Sequence, residues 1–200
     1  MALASSLGSS SVAADDNARG EQLYELCVQC HGENGEGDSM ALAPAISGFG
    51  QWYIATQLRK FRDGGRGRHF DDIAGMRMRP MALSLRSEED VDAVSAYAAS
   101  LPDVLPEPTL EGGDPAKGQA GYAACSGCHG ADGYGNEMVG APSLHTSDWY
   151  FVKQMHNYKA GVRGTNPKDA VGAVMVGMAT IVPNDQALMD LLAYLRTQQK

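Results

Sequence analysis

The chain has 200 residues, 44% of them hydrophobic, and a formal net charge of −8. That length supports one globular domain or two small ones, and the acid excess argues against a nucleic-acid partner, whose phosphates it would repel. The charge is uneven, with 15 acids and 9 bases over residues 15–103 against 9 and 7 over residues 104–200.

In chain order, small and apolar residues run to Ala14 and charge begins at Asp15. "SVAA" before "DD" resembles a secretory cleavage site, so residues 1–14 read as the remnant of a signal peptide and the protein is expected to be exported. No later stretch approaches ~20 consecutive apolar residues, so the mature chain is expected to be soluble with no transmembrane segment. Ala18–Cys27 reads as a short helix running into "CVQCH" at Cys27–His31. Trp52, Ile54, Ala55, Leu58 and Phe61 are spaced as on a helix. Ser87 is a good N-cap, and the acids behind it suit a helix N-terminus. "DVLPEPTLEGGD" is rich in Pro and Gly and marks a linker, placed at 104–113.

The chain then repeats itself. "ARGEQLYELCVQCHGENGEG" (Ala18–Gly37) matches "AKGQAGYAACSGCHGADGYG" (Ala116–Gly135) 98 positions on. Ala43-Pro44 and Ala141-Pro142 follow at the same offset. After one gap the offset is 97, and "WYIATQLRKFRDGGRG" (Trp52–Gly67) matches "WYFVKQMHNYKAGVRG" (Trp149–Gly164). The closing segments, Ser87–Leu101 and Asn184–Thr197, also correspond. The expected architecture is all-α, with two tandem domains of a few helices each, at 15–103 and 114–200. Copies of about 87 residues have marginal apolar cores, so something else should fill the interior.

The chemistry lies in Cys27-x-x-Cys30-His31 and Cys125-x-x-Cys128-His129, which use every cysteine in the chain. C-x-x-C-H is the spacing of c-type haem attachment: two thiols one helical turn apart reach the vinyl groups of one porphyrin, and the adjacent imidazole reaches iron. A single Cys₄ zinc site would leave unexplained the His after each pair and the duplicated surroundings. A redox disulfide would be expected beside a βαβ pattern, and none is present. Two covalent haem c groups, one wrapped by each domain, also supply the missing core.

These motifs resemble the dihaem cytochrome c4 family, tandem class I cytochrome c domains of the bacterial periplasm. The resemblance runs from Asp15 to Lys200 and rests on both C-x-x-C-H boxes, the Ala-Pro after each, the downstream Met, and the terminal helix with its Tyr. It implies that the carbonyls of Pro44 and Pro142 accept the ring N–H of His31 and His129. It also implies two haems close across a domain interface, with electrons received from a quinol-oxidising complex and passed to a terminal oxidase. The arginine-rich stretch 59–86 and the short linker depart from the family pattern.

The second axial ligand is sought in "MRMRPM" (Met76–Met81). Met78 corresponds to Met175 and Met81 to Met178, whereas Met76 corresponds to Ala173 and drops out. Local chemistry slightly favours Met81 and Met178; the resemblance implies Met78 and Met175, with the other pair packing at the haem edge. His69, His145 and His156 have no duplicate and read as surface or structural residues. Trp52 and Trp149 read as core packing, with an indole N–H on a haem propionate as a further role. Arg66 and Arg163 either balance propionate charge or lie in solvated loops. Arg59, Lys60, Arg62, Arg66 and Arg68 read either as a docking patch or as a solvated face.

The function expected is a periplasmic electron carrier without catalytic residues. One alternative is an electron-transfer subunit of a periplasmic dehydrogenase. A dihaem enzyme such as a thiosulfate dehydrogenase is disfavoured, because no cysteine is left to bind iron.

Overall fold

The computed structural model describes residues 9–200. Of the expected leader, residues 1–8 lie outside the described residues. Nine α-helices and no strand occur among the described residues, and the all-α expectation holds.

The first half contains α1 (Ser9–Tyr24), α2 (Val28–His31), α3 (Gln51–Asp63), α4 (Ile73–Leu83) and α5 (Glu88–Ser100). The second contains α6 (Pro115–His129), a 3-10 turn (Glu137–Val139), α7 (Asp148–Lys159), α8 (Ala170–Thr180) and α9 (Asp185–Thr197). The expected caps form: Ser87 accepts from Asp90 N and Asn184 from Ala187 N. Asp114 caps α6, whose first residue is Pro115, where a missing N–H costs no hydrogen bond.

The methionine segments are helices that periodicity did not reveal. Asp72 starts α4 by accepting from Gly75 N, and Asp169 starts α8 by accepting from Gly172 N. Pro80 sits inside α4, removes one ladder bond, and the helix stops three residues later.

Each half closes by crossing its first and last helices. Gly20 of α1 lies against the Ala93 carbonyl of α5, and Gly118 of α6 against the Asp190 carbonyl of α9. A Cβ at either position would overlap that carbonyl, so glycine is what permits the close approach. One core gathers Tyr24, Leu58, Phe61, Val91 and Val94; the other gathers Tyr122, Met155, Tyr158, Leu188 and Leu191. The duplication therefore extends to packing.

The two halves meet through polar contacts. Ala45 N donates to Ser147 Oγ at 2.9 Å, and Thr146 Oγ1 donates back to the Ala45 carbonyl at 2.9 Å. Asn166 Nδ2 donates to the Gly64 carbonyl at 3.0 Å and Lys168 Nζ to the Asp63 carbonyl at 2.9 Å. Lys60 Nζ meets Asp169 Oδ1 at 2.6 Å in a pair with little or no solvent contact.

Candidate functional site

Each cysteine pair lies on one helical turn, placing both sulfurs on one face with the histidine next in sequence. In the first half Cys27 caps α2; in the second both cysteines lie within the unbroken α6. Gly32 and Gly130 end these helices at φ near +80°, a conformation in which a side chain would be strained. Tyr24 donates to the Gly32 carbonyl at 2.9 Å and Tyr122 to the Gly130 carbonyl at 2.7 Å, tying the chain just after each histidine to the preceding helix.

His31 and His129 are buried. Nδ1 of His31 is 2.9 Å from the Pro44 carbonyl, and Nδ1 of His129 is 2.8 Å from the Pro142 carbonyl. A carbonyl can only accept, so Nδ1 carries the proton and Nε2 keeps a free lone pair. Burial pulls both imidazoles below the usual histidine range, against the opposing pull of the proline carbonyls. The result is a neutral, oriented nitrogen ligand in each half.

Burial, with Cys30 alongside, pushes the Cys27 thiol up to about 11, and burial likewise raises Cys125. A redox-active Cys-x-x-Cys shows the opposite shift. Among the described residues no three His, Cys, Asp or Glu side chains converge as metal ligands, so the two cysteine pairs do not form one zinc site.

Met78 packs against the first core and Met175 against the second. Met81 is 40% exposed, and neither it nor Met178 packs against a core. Trp52 and Trp149 stand near the starts of α3 and α7, stacked edge-on against Tyr53 and Tyr150. Both are half-buried and lie outside the two apolar core clusters.

Most of the basic cluster has partners, while Arg68 is exposed. Arg59 pairs with Glu88 and Asp92, Arg62 pairs with Glu88, and Lys60 pairs with Asp169. Arg66 is buried, with its guanidinium over the Phe61 ring; Arg163 is likewise buried over Tyr158. The solvated-loop reading fails for both. Gln57 Oε1 accepts from Arg66 Nη1 at 2.9 Å and from Arg163 Nη2 at 3.2 Å, so one amide oxygen joins the two halves. Gln154 Oε1 accepts from Arg163 Nη1 at 2.8 Å.

The other histidines have local partners. His145 is buried, its Nε2 at 2.8 Å from the Asp132 carbonyl; His156 pairs with Asp185 and His69 lies near Asp71.

The residues present fit haem. Nε of Arg66 and of Arg163 are buried without a hydrogen-bond partner, and the acceptors on their Nη atoms are neutral. Burial alone would raise the Tyr150 phenol, but the neighbouring guanidiniums of Arg66 and Arg163 pull it below the usual range. No carboxylate hydrogen-bonds to either buried guanidinium, so both keep donors to offer the propionates of two haems. Lys117, Ile181, Val182, Pro183, Asp190 and Leu191 line a cleft beside Cys125.

Paired thiols, braced neutral imidazoles and helix-borne thioethers, all twice over in an all-α chain, define a two-domain c-type cytochrome. A cytochrome c family model matches residues 17–102 and 115–199. Cytochrome c4 of Stutzerimonas stutzeri is 30% identical over 192 residues, covering 86% of this chain and 84% of that protein. The thiosulfate dehydrogenase electron acceptor of Thiomonas intermedia (strain K12) is 30% identical over 162 residues, covering 76% and 71%. The crystal structure of reduced recombinant cytochrome c4 from Pseudomonas stutzeri shares the fold at a TM-score of 0.67 and 24% identity, covering 90% of this chain and 97% of that one. The chain belongs to the dihaem cytochrome c4 family and carries two covalently bound haem c groups.

Proposed function

We propose that this electron-transfer cytochrome is a periplasmic shuttle between respiratory donors and a terminal oxidase or reductase. In this reading Cys27 and Cys30 anchor one haem and Cys125 and Cys128 the other. His31 with Met78 would bind the iron of the first haem, and His129 with Met175 that of the second. The observation that carries it is the pair of proline-braced, neutral imidazoles, each in a half whose first M-x-x-M methionine packs on the core. Bound haem supplies a one-electron ferric–ferrous couple, and a Met ligand raises its potential. The protein's part is to hold both ligands in place, exclude water and position the propionates on Arg66 and Arg163. Iron held by both a His and a Met would offer no open position to a substrate, as suits a carrier.

We take residues 15–103 and 114–200 as the two domains. The end of the linker then belongs physically to the second, because Thr109 and Leu110 donate to Asp148. Among the described residues no helix is long and apolar enough to cross a membrane.

A redox titration with optical spectra on the wild type, Met78→Ala and Met81→Ala tests the reading. Met78→Ala should lower one midpoint and abolish its Met-to-iron band, while Met81→Ala keeps both. The reverse result would move the ligand to Met81, and a chain without two covalent haems would end the proposal.

The likeness to a thiosulfate dehydrogenase electron acceptor favours a second reading, in which the donor is a periplasmic dehydrogenase. Stopped-flow reduction by such an enzyme, faster than by a quinol-oxidising complex, would select it.

A further inference from the structure

We infer that Lys60 sets the order of the two haem midpoints by neutralising one of two duplicated, buried carboxylates across the domain interface. The inference rests on the ligand reading above. Asp72 and Asp169 occupy equivalent positions in the two copies, and both are buried. Each caps the helix that carries the ligand methionine, accepting from the third residue of that cap at 3.0 Å. Their surroundings are duplicated too, with Arg66 and Arg163 at equivalent places nearby and Tyr150 between the guanidiniums.

The copies differ in one cation. Lys60 reaches from α3 of the first half to Asp169 Oδ1 of the second. Its counterpart on α7 is Asn157, whose backbone carbonyl accepts from Arg163 N as that of Lys60 accepts from Arg66 N. The side chain of Asn157 is buried and its Nδ2 has no partner. The amide is too short to do what Lys60 does, and no salt bridge reaches Asp72 among the described residues. Lys60 also helps hold the Asp169 carboxyl below the usual range, although burial opposes this.

An unpaired carboxylate in a poorly solvated site favours the more positive, ferric state of the nearby haem, and an ion pair largely cancels that influence. The first-half haem should therefore have the lower midpoint, and electrons should collect on the second. Lys60 stabilises the acceptor end of the internal transfer from a residue of the donor domain.

The test is the separation of the two midpoints in the dihaem protein, with each assigned by the Met methyl signals in its NMR spectrum. Lys60→Met should lower the second-half midpoint and Asn157→Lys should raise the first-half one, so each variant narrows the gap. A tenfold change in electron partition, 59 mV for one electron, is the size expected of each. Lys60→Asn combined with Asn157→Lys should reverse the order. Asn157→Lys leaves Asp169 paired, so it keeps the test decisive if Lys60→Met fails to fold. A folded Asn157→Lys protein with both Met-to-iron bands present and midpoints unmoved would overturn the inference. Absence of those bands from the wild type would overturn the ligand reading on which it stands.

Discussion

Asp148→Asn should loosen the joint between linker and second domain far more than an isosteric change at the surface would. Asp148 is 6% exposed, and its two oxygens accept five hydrogen bonds. Oδ2 takes Thr109 N, Leu110 N and Arg196 Nη2 at 2.7–2.8 Å, and Oδ1 takes Thr109 Oγ1 and Trp149 N at 2.6 Å. An amide replaces one of these acceptors with a donor, so at least one backbone N–H faces another donor, and Arg196 loses its counter-charge. Orphaned buried donors cost ~1–3 kcal/mol each, and unpairing a buried charge ~3–5. These terms overlap, and about 4 kcal/mol is the expected net loss. For a chain of this length that corresponds to a fall in melting temperature of roughly 8–16 °C.

The pH dependence has a definite sign. Burial would raise this carboxyl, but hydrogen bonds from Thr109, Leu110 and Trp149 hold it below the usual range. A depressed folded pKa gives stability that is complete above the unfolded value of about 3.9 and is lost as pH falls through the folded value. The gap between wild type and variant should therefore be full at neutral pH and shrink below about pH 4. Denaturant unfolding across that range, with limited proteolysis between residues 104 and 113, measures both effects. A loss under ~1 kcal/mol at neutral pH with an uncut linker would refute the role assigned to Asp148.

Gly118→Ala should separate α6 from α9 and cost about 2–3 kcal/mol in denaturant unfolding, because its methyl would enter the Asp190 carbonyl. Tyr24→Phe removes the bond to the Gly32 carbonyl and should cost about 1 kcal/mol, read by the same unfolding curves. Arg59→Ala breaks two exposed ion pairs; the expected change is below ~1 kcal/mol, with unaltered reduction kinetics towards a redox partner. A large kinetic loss in Arg59→Ala would restore the docking-patch reading.

Comparing the copies against each other made much of the site legible in the sequence. The C-x-x-C-H boxes name their chemistry outright, and Ser87 and Asn184 cap helices as their residue types predict. The helices bearing the methionines were invisible, because Pro80 and the Ala-Gly-Val composition of α8 carry little amphipathic signal. Tyr24, Tyr122, Asp72 and Asp169 recur at the duplication offset, and that recurrence was the signal that could have marked them. Asp148, Gln57 and the Lys60–Asp169 pair act between segments far apart in sequence. Single-chain periodicity cannot register such contacts, and a run of basic residues read only as a docking patch or a solvated face.

Where the copies agree and where they diverge follows a physical rule. Residues that serve one half internally are the same or similar in both: the thiols, the braced histidines, the tyrosines behind them and the glycines at the helix crossings. Some residues turned towards the other half differ, although Gln57, Arg66 and Asp169 there have identical counterparts. Lys60 becomes Asn157, Asp63 becomes Ala160, and Gln57 bridges both arginines while Gln154 serves only one. Two identical haem pockets would have equal midpoints and no preferred direction for an electron. A symmetric fold acquires direction only through groups that break the symmetry, and they act most strongly where water is excluded. On the inference drawn for Lys60, the buried seam between the halves is one place where such a group would bias internal electron flow.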